Sequence, residues 1–305
     1  MRVPRLSPAT YRRVTLAAAL ALAFIIVSGG AVRLTGSGLG CSDWPNCEEG
    51  RLVAPLEFHP MVEFVNRTVT GLVSVAVVLA VLGSLVRTPR RRDLTALSLG
   101  LVAGVAGQVV LGGVTVLVGL SPPFVMAHFL LSLVLLWNAV VLHHRAGQPD
   151  GPPRAVVGGQ VVGMARWLAG MAAIVVATGT VVTGSGPHGG DEDVERLPFL
   201  LPDVARVHGV AVMLFLAMAL ALAWVLRRDG APAGVLRAAQ VLLAVLVGQA
   251  AVGYAQYFSG VPVVLVGIHL AGAAAVWAAT VHLNLVLFER RPVVAPARPP
   301  VLEPA

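Results

Sequence analysis

At 305 residues, 57% hydrophobic and only 12% charged, with a mean hydropathy of +0.83, the chain is too apolar for an ordinary soluble domain and reads as an integral membrane protein. Its formal charge of +7 rests on arginine alone, since there is no lysine; these arginines lie between apolar runs rather than clustered on a polar domain, which argues against nucleic acid as a partner. The richness in Ala, Val, Gly, Pro and Arg reads as GC-rich coding and hints at a bacterial source.

In chain order the apolar runs are 14–32, 62–86, 95–118, 124–143, 163–183, 204–226, 235–257 and 262–288, each long enough to span a bilayer. The first run continues into GGAVRLTGSG without a small-residue cleavage site, so it is expected to be a retained helix and not a cleaved signal. Arg2, Arg5, Arg12 and Arg13 precede it, and Arg87, Arg90, Arg91 and Arg92 follow the second run. Arg145, Arg154 and Arg166 separate the fourth from the fifth, Arg227, Arg228 and Arg237 the sixth from the seventh, and Arg290 and Arg291 follow the eighth. Every second connection is therefore basic, and both termini are expected in the cytoplasm. Residues 1–13 are then a cytoplasmic N-terminus, 146–162 a cytoplasmic linker and 289–305 a Pro/Ala-rich, disordered cytoplasmic tail. The outer connections are the loop from Arg33 to Pro60, a Ser-Pro-Pro turn at 121–123, the acidic GPHGGDEDVE loop and a turn near Gly260.

The chain contains a duplication. The stretch beginning GQVVLGGVTV at Gly107 aligns without a gap on GQAAVGYAQY at Gly248, pairing Gly107 with Gly248, Gln108 with Gln249, Gly112 with Gly253 and His128 with His269. The predicted architecture is thus all-α, with eight transmembrane helices in two pseudo-symmetric four-helix bundles, 14–145 and 163–288. His128, His208 and His269 fall near the outer ends of even-numbered helices, and Asn66 holds the place 142 residues before His208. A lone intramembrane histidine more often bonds a neighbouring helix than a metal. Three at one depth in a duplicated bundle reverse that preference, because a planar tetrapyrrole held between two helices takes one imidazole from each side.

Several motifs resemble the haem A synthase family over roughly residues 12–290: GGAVRLTGSGLGCSDWPNC at the end of the first helix, VEFVNR opening the second, TGSGPHGGD after the fifth, and the three histidines. The resemblance implies an N-terminal half that binds the substrate haem O and a C-terminal half that holds haem b. It also implies stepwise oxidation of the C8 methyl group of haem O to the formyl group of haem A, with water as oxygen source. His208 and His269 would ligate haem b, and His128 the substrate iron. Better-known members have histidine where this chain has Asn66, so a bis-histidine clamp on the substrate is not available from matching positions. Asn66 is read as a pocket residue, with His59 or Glu63 as other candidates to face His128.

Glu63 has no acidic counterpart in the second half, where Ala205 takes its place, and this asymmetry marks the reactive half; the resemblance implies that Glu63 takes a proton from water or stabilises a cationic carbon in the oxidation, the other reading being an interfacial ion pair. Arg67, at i+4, is its expected ion-pair partner. On this reading Glu63, Asn66 and Arg67 all project toward the substrate haem, and Arg33, Arg67 and Arg206 are candidates for the haem propionates. Cys41 and Cys47, in an outer loop that meets an oxidising compartment, are expected to form a disulfide, either a structural staple or a redox pair. The expected setting is the bacterial cytoplasmic membrane, with lipid, haem O, haem O synthase and thiol oxidoreductases as partners; a homo-oligomer is compatible with it. Two other classes fit parts of the pattern: a dihaem cytochrome b subunit, which usually places haems at opposite leaflets, and a transporter of parallel repeats, which predicts broken helices and midplane polar groups.

Overall fold

The computed structural model describes residues 5–48 and 50–292; Arg2 and the Pro/Ala-rich segment 293–305 lie outside the described residues. Eight helices carry the fold: α1 (Pro8–Leu34), α2 (Phe58–Val86), α3 (Arg92–Leu117), α4 (Pro122–Ala146), α5 (Gly159–Ser185), α6 (Leu201–Arg228), α7 (Ala233–Phe258) and α8 (Val263–Val286). All eight are long and apolar enough to cross a membrane, as the runs predict. At about 1.5 Å per residue even a 24-residue helix exceeds a hydrocarbon core of about 30 Å. Their starts follow local chemistry: Ser7 caps α1 through a 3.1 Å bond from the Thr10 amide, and prolines occupy the first turns of α1, α4 and α6, where no amide donor is needed.

Within each set of four consecutive helices, every helix packs on the next and the first packs on the fourth, closing a ring. The first ring is filled by Tyr11, Leu22, Val77, Leu94, Leu101 and Leu142, the second by Leu168, Phe215, Leu222, Leu242, Leu246 and Leu283. The rings meet where α4 and α8 pack on each other and α1 and α5 on the opposite ring's fourth helix. Ile26, Leu133, Leu136 and Ala274 fill that seam, and the Trp277 indole donates to the Leu133 carbonyl at 2.9 Å. Leu20, Phe24, Leu72, Trp167 and Val264 are exposed around the outside, as side chains facing lipid would be.

The all-α architecture carries one small addition. The last helix stops at Val286 rather than 288, and β2 (Phe288–Arg290) pairs antiparallel with β1 (Pro153–Ala155), in the segment read as a plain linker. An apolar run does not reveal where its backbone stops being helical. Here Phe288 packs against the second core and its strand closes two backbone ladders that would otherwise end free. At the same end the Arg91 guanidinium binds Asp93 and the carbonyls of Arg145 and Pro149, sealing the end of α4.

Candidate functional site

The duplicated motif is repeated in space as well as in sequence. The Gln108 amide donates to the His128 carbonyl at 3.1 Å, and Gln249 donates to the His269 carbonyl at 2.6 Å. Each imidazole packs on a glycine of the preceding helix. A Cβ at Gly112 would lie 3.1 Å from His128, one at Gly179 3.1 Å from His208, and one at Gly253 3.0 Å from His269. These glycines therefore leave the room in which the rings stand.

His208 on α6 and His269 on α8 come from diagonal helices of the second ring and meet across its interior with ring centroids 6.4 Å apart and planes at 79°. Two imidazoles bound on opposite sides of one metal, at nitrogen distances of about 2 Å, place their centroids roughly 6 Å apart. The donors also fit. The single Thr178 hydroxyl proton is engaged by the Ile174 and Val175 carbonyls, so its oxygen accepts from His208 Nδ1–H at 3.1 Å. That tautomer leaves the lone pair on Nε2. On the other side His269 Nδ1 packs on Gly253 as His208 Nδ1 packs on Gly179, and it has no hydrogen-bond partner among the described residues.

The first ring has the same frame with one change. On α2, Asn66 accepts from the Ser28 hydroxyl of α1 at 2.8 Å, as His208 meets Thr178 of α5. His128, on the diagonal helix α4, carries the ring's imidazole. His59 is held through Nδ1 by the Ser37 hydroxyl at 3.0 Å, so neither it nor Asn66 is free of protein partners.

Glu63 is 6% exposed. Its Oε2 accepts the Cys41 amide at 2.8 Å, and its Oε1 accepts from Arg67 Nε and Nη2 at 3.1 and 2.6 Å. The same guanidinium reaches the Asp43 carbonyl at 3.1 Å and the Asn46 carbonyl at 2.8 Å. Both carbonyls belong to the loop that the Cys41–Cys47 disulfide closes, with an S–S distance of 2.02 Å. Trp44 of that loop lies against Gly113 of α3, so the loop caps the outer end of the first ring.

The ion pair is drawn to the loop by backbone groups that local periodicity does not register, while Asn66 bonds Ser28. Arg67 donates there to Glu63 and to the Asp43 and Asn46 carbonyls. Arg206 is exposed and pairs with Asp203 at 3.2 Å on the helix surface. Arg33 stands at the junction of the rings; its Nη2 donates to the Thr183 carbonyl at 2.7 Å and its buried Nε has no partner among the described residues. His143, His144 and His282 gather at the other end of the α4–α8 contact, His144 and His282 with centroids 5.8 Å apart. Sequence reasoning passed over Ser28 and Thr178, whose spacing of 150 residues differs from the 142 separating Asn66 and His208, because the intervening outer loops differ in length.

The cytochrome oxidase assembly protein family COX15-CtaA matches residues 12–59 and 53–187, together more than half of the chain. The chain belongs to this family. The COX15-CtaA match includes Arg33, both cysteines, Glu63, Arg67 and His128, the whole outer end of the first ring. Similar proteins are the "Heme A synthase" of Lysinibacillus sphaericus, 31% identical over 122 residues, 39% of either chain. That of Listeria monocytogenes serotype 4b is 31% identical over 122 residues, 39% of this chain and 40% of its own. That of Bacillus licheniformis is 28% identical over 124 residues, 40% of this chain and 41% of its own. The chain spans about two fifths of the length of these relatives in the matched region. With eight spanning helices and bacterial relatives, it is a multi-pass protein of the bacterial plasma membrane.

Proposed function

We propose that this protein is a haem A synthase, which oxidises the C8 methyl group of haem O to the formyl group of haem A. The observation that carries the reading is the COX15-CtaA match across the first ring, joined to similarity with relatives named for that activity. Conversion of the methyl group to the aldehyde with oxygen from water releases four electrons and four protons, the electrons leaving to an acceptor outside the chain. The first ring, 14–145, is the substrate half, and the second, 163–288, holds haem b between His208 and His269. When bound, that haem supplies one-electron redox chemistry.

The chain's own residues bind, orient and move protons. His128 faces the substrate iron, and Asn66, held by Ser28, lines the opposite wall of the pocket without ligating. Glu63 is the buried carboxylate among the described residues at this end of the first ring and takes a proton released from water. Arg33, with an unsatisfied buried N–H, holds a propionate. Placing the arginine-rich connections in the cytoplasm puts the disulfide loop and these groups on the outer side. Haem O synthase and thiol oxidoreductases are the expected partners on the two sides of this chemistry.

The test is extraction of pigments from membranes expressing the chain with and without a haem O synthase. Formyl haem appearing only in the paired culture supports the reading, and its absence with both haem O and folded protein present would overturn it.

A further inference from the structure

The ion pair and the disulfide occupy one piece of structure. Between Cys41 and Cys47 the chain offers four backbone groups to α2: the Cys41 amide goes to Glu63, and the Asp43, Pro45 and Asn46 carbonyls go to Arg67. Arg67 Nη2 bonds Glu63 Oε1 and the Asp43 carbonyl together. Both cysteines are buried, at 0% and 1% exposure, and Cys41 Sγ lies 3.8 Å from the Pro60 carbonyl at the start of α2. A guanidinium held by four acceptor groups in this way needs those acceptors at fixed mutual positions, and the disulfide closes the ring that fixes them.

We propose that the Cys41–Cys47 disulfide and the Glu63–Arg67 pair form one thermodynamically coupled unit, in which Arg67 is the positioning residue and the redox state of the cysteines sets whether Glu63 is held in place. Reduction by a dithiol breaks the S–S bond and delivers two electrons and two protons to give two thiols, while the dithiol becomes a disulfide. The opened loop no longer presents the carbonyls of residues 43 and 46 together, so Arg67 loses its anchors and Glu63 its Cys41 donor. Coupling of this kind is reciprocal: if the closed ring favours the ion pair, the ion pair favours the closed ring. The catalytic meaning of Glu63's position rests on the haem A synthase reading, but the coupling itself does not.

The test is a redox titration of the full-length protein in lipid nanodiscs against dithiothreitol, scoring free thiols by maleimide mass shift. Arg67→Gln is expected to ease reduction on the order of tenfold, which for two electrons is about 30 mV more positive. Arg67→Lys, which keeps the charge but not the planar fork, should fall between that variant and wild type. Glu63→Gln should shift in the same direction, and Arg228→Gln, on an exposed pair far along the chain, should match wild type. Equal potentials in wild type, Arg67→Gln and Glu63→Gln would overturn the coupling, as would an equal shift in Arg228→Gln. Should Arg67→Gln fail to insert, Arg67→Lys and Glu63→Gln decide the matter alone. The titration needs no turnover, so a shifted potential with no haem A formed by wild type would condemn the functional reading and leave the coupling standing.

Discussion

Thr178 fixes the tautomer of His208: with its own proton given to a helix carbonyl, its oxygen accepts from Nδ1 at 3.1 Å and turns a basic Nε2 toward the bundle interior. Thr178→Val keeps the shape but leaves Nδ1–H unpaired. Loss of such an outer partner typically costs 10–100-fold in metal affinity, so retention of haem through purification should fall by roughly that range. His208→Ala and His269→Ala should abolish the low-spin bis-histidine spectrum altogether. Optical and EPR spectra of the four proteins make the comparison, and an unchanged low-spin signal in both alanine variants would remove the pair as ligands.

The first ring invites the opposite experiment. Ser28 already stands toward Asn66 as Thr178 stands toward His208, so Asn66→His places an imidazole in a frame that has a hydroxyl waiting for Nδ1. The variant loaded with haem O should gain a second low-spin, six-coordinate signal. A spectrum identical to wild type would mean that His128 and residue 66 do not face one substrate.

Glu63→Gln separates chemistry from architecture. Glutamine keeps an acceptor for the Cys41 amide but loses the charge that binds Arg67 and the ability to take a proton. Haem A formed per mole of folded protein should fall by roughly 10² or more, the scale expected for a lost general base, with both haem sites still filled. If turnover per folded molecule stays near normal while thermal stability falls, Glu63 serves the loop alone.

The turns after α3 and α7 repeat an unusual backbone: Gly119 and Leu120 have φ of 62° and 56°, and Gly260 and Val261 have 80° and 59°. A β-branched residue in this region is strained by about 1–3 kcal/mol, whereas glycine is not. Val261→Gly should therefore raise the thermal midpoint, with a net gain of about 1 kcal/mol after the extra freedom of the unfolded chain. Leu120→Gly should lower it, since Leu120 is buried against Gly38 and Gly190 and its loss opens a cavity costing about 2 kcal/mol or more. Differential scanning calorimetry in detergent resolves the two signs, and a fall in both would refute the strain at Val261.

Eight helices, their near-correct limits and the repeated Gly-Gln-histidine unit were legible in the residues themselves, because lipid leaves a spanning segment no option but an unbroken apolar helix and because duplication copies its side chains in register. The family resemblance rested on the same local strings, and the disulfide followed from two cysteines in one outer loop. What the residues alone could not decide was where polar groups at the outer surface turn. Glu63 and Arg67 are drawn to backbone atoms of Cys41, Asp43 and Asn46, and Ser28 and Thr178 face residues more than thirty positions away or nearly so. The pairing of residues 153–155 with 288–290 joins segments from opposite ends of the second ring. Such contacts depend on the path of the connecting chain. A side chain's type records whether it prefers lipid or a partner, but the identity of that partner is set only when helices and loops have packed.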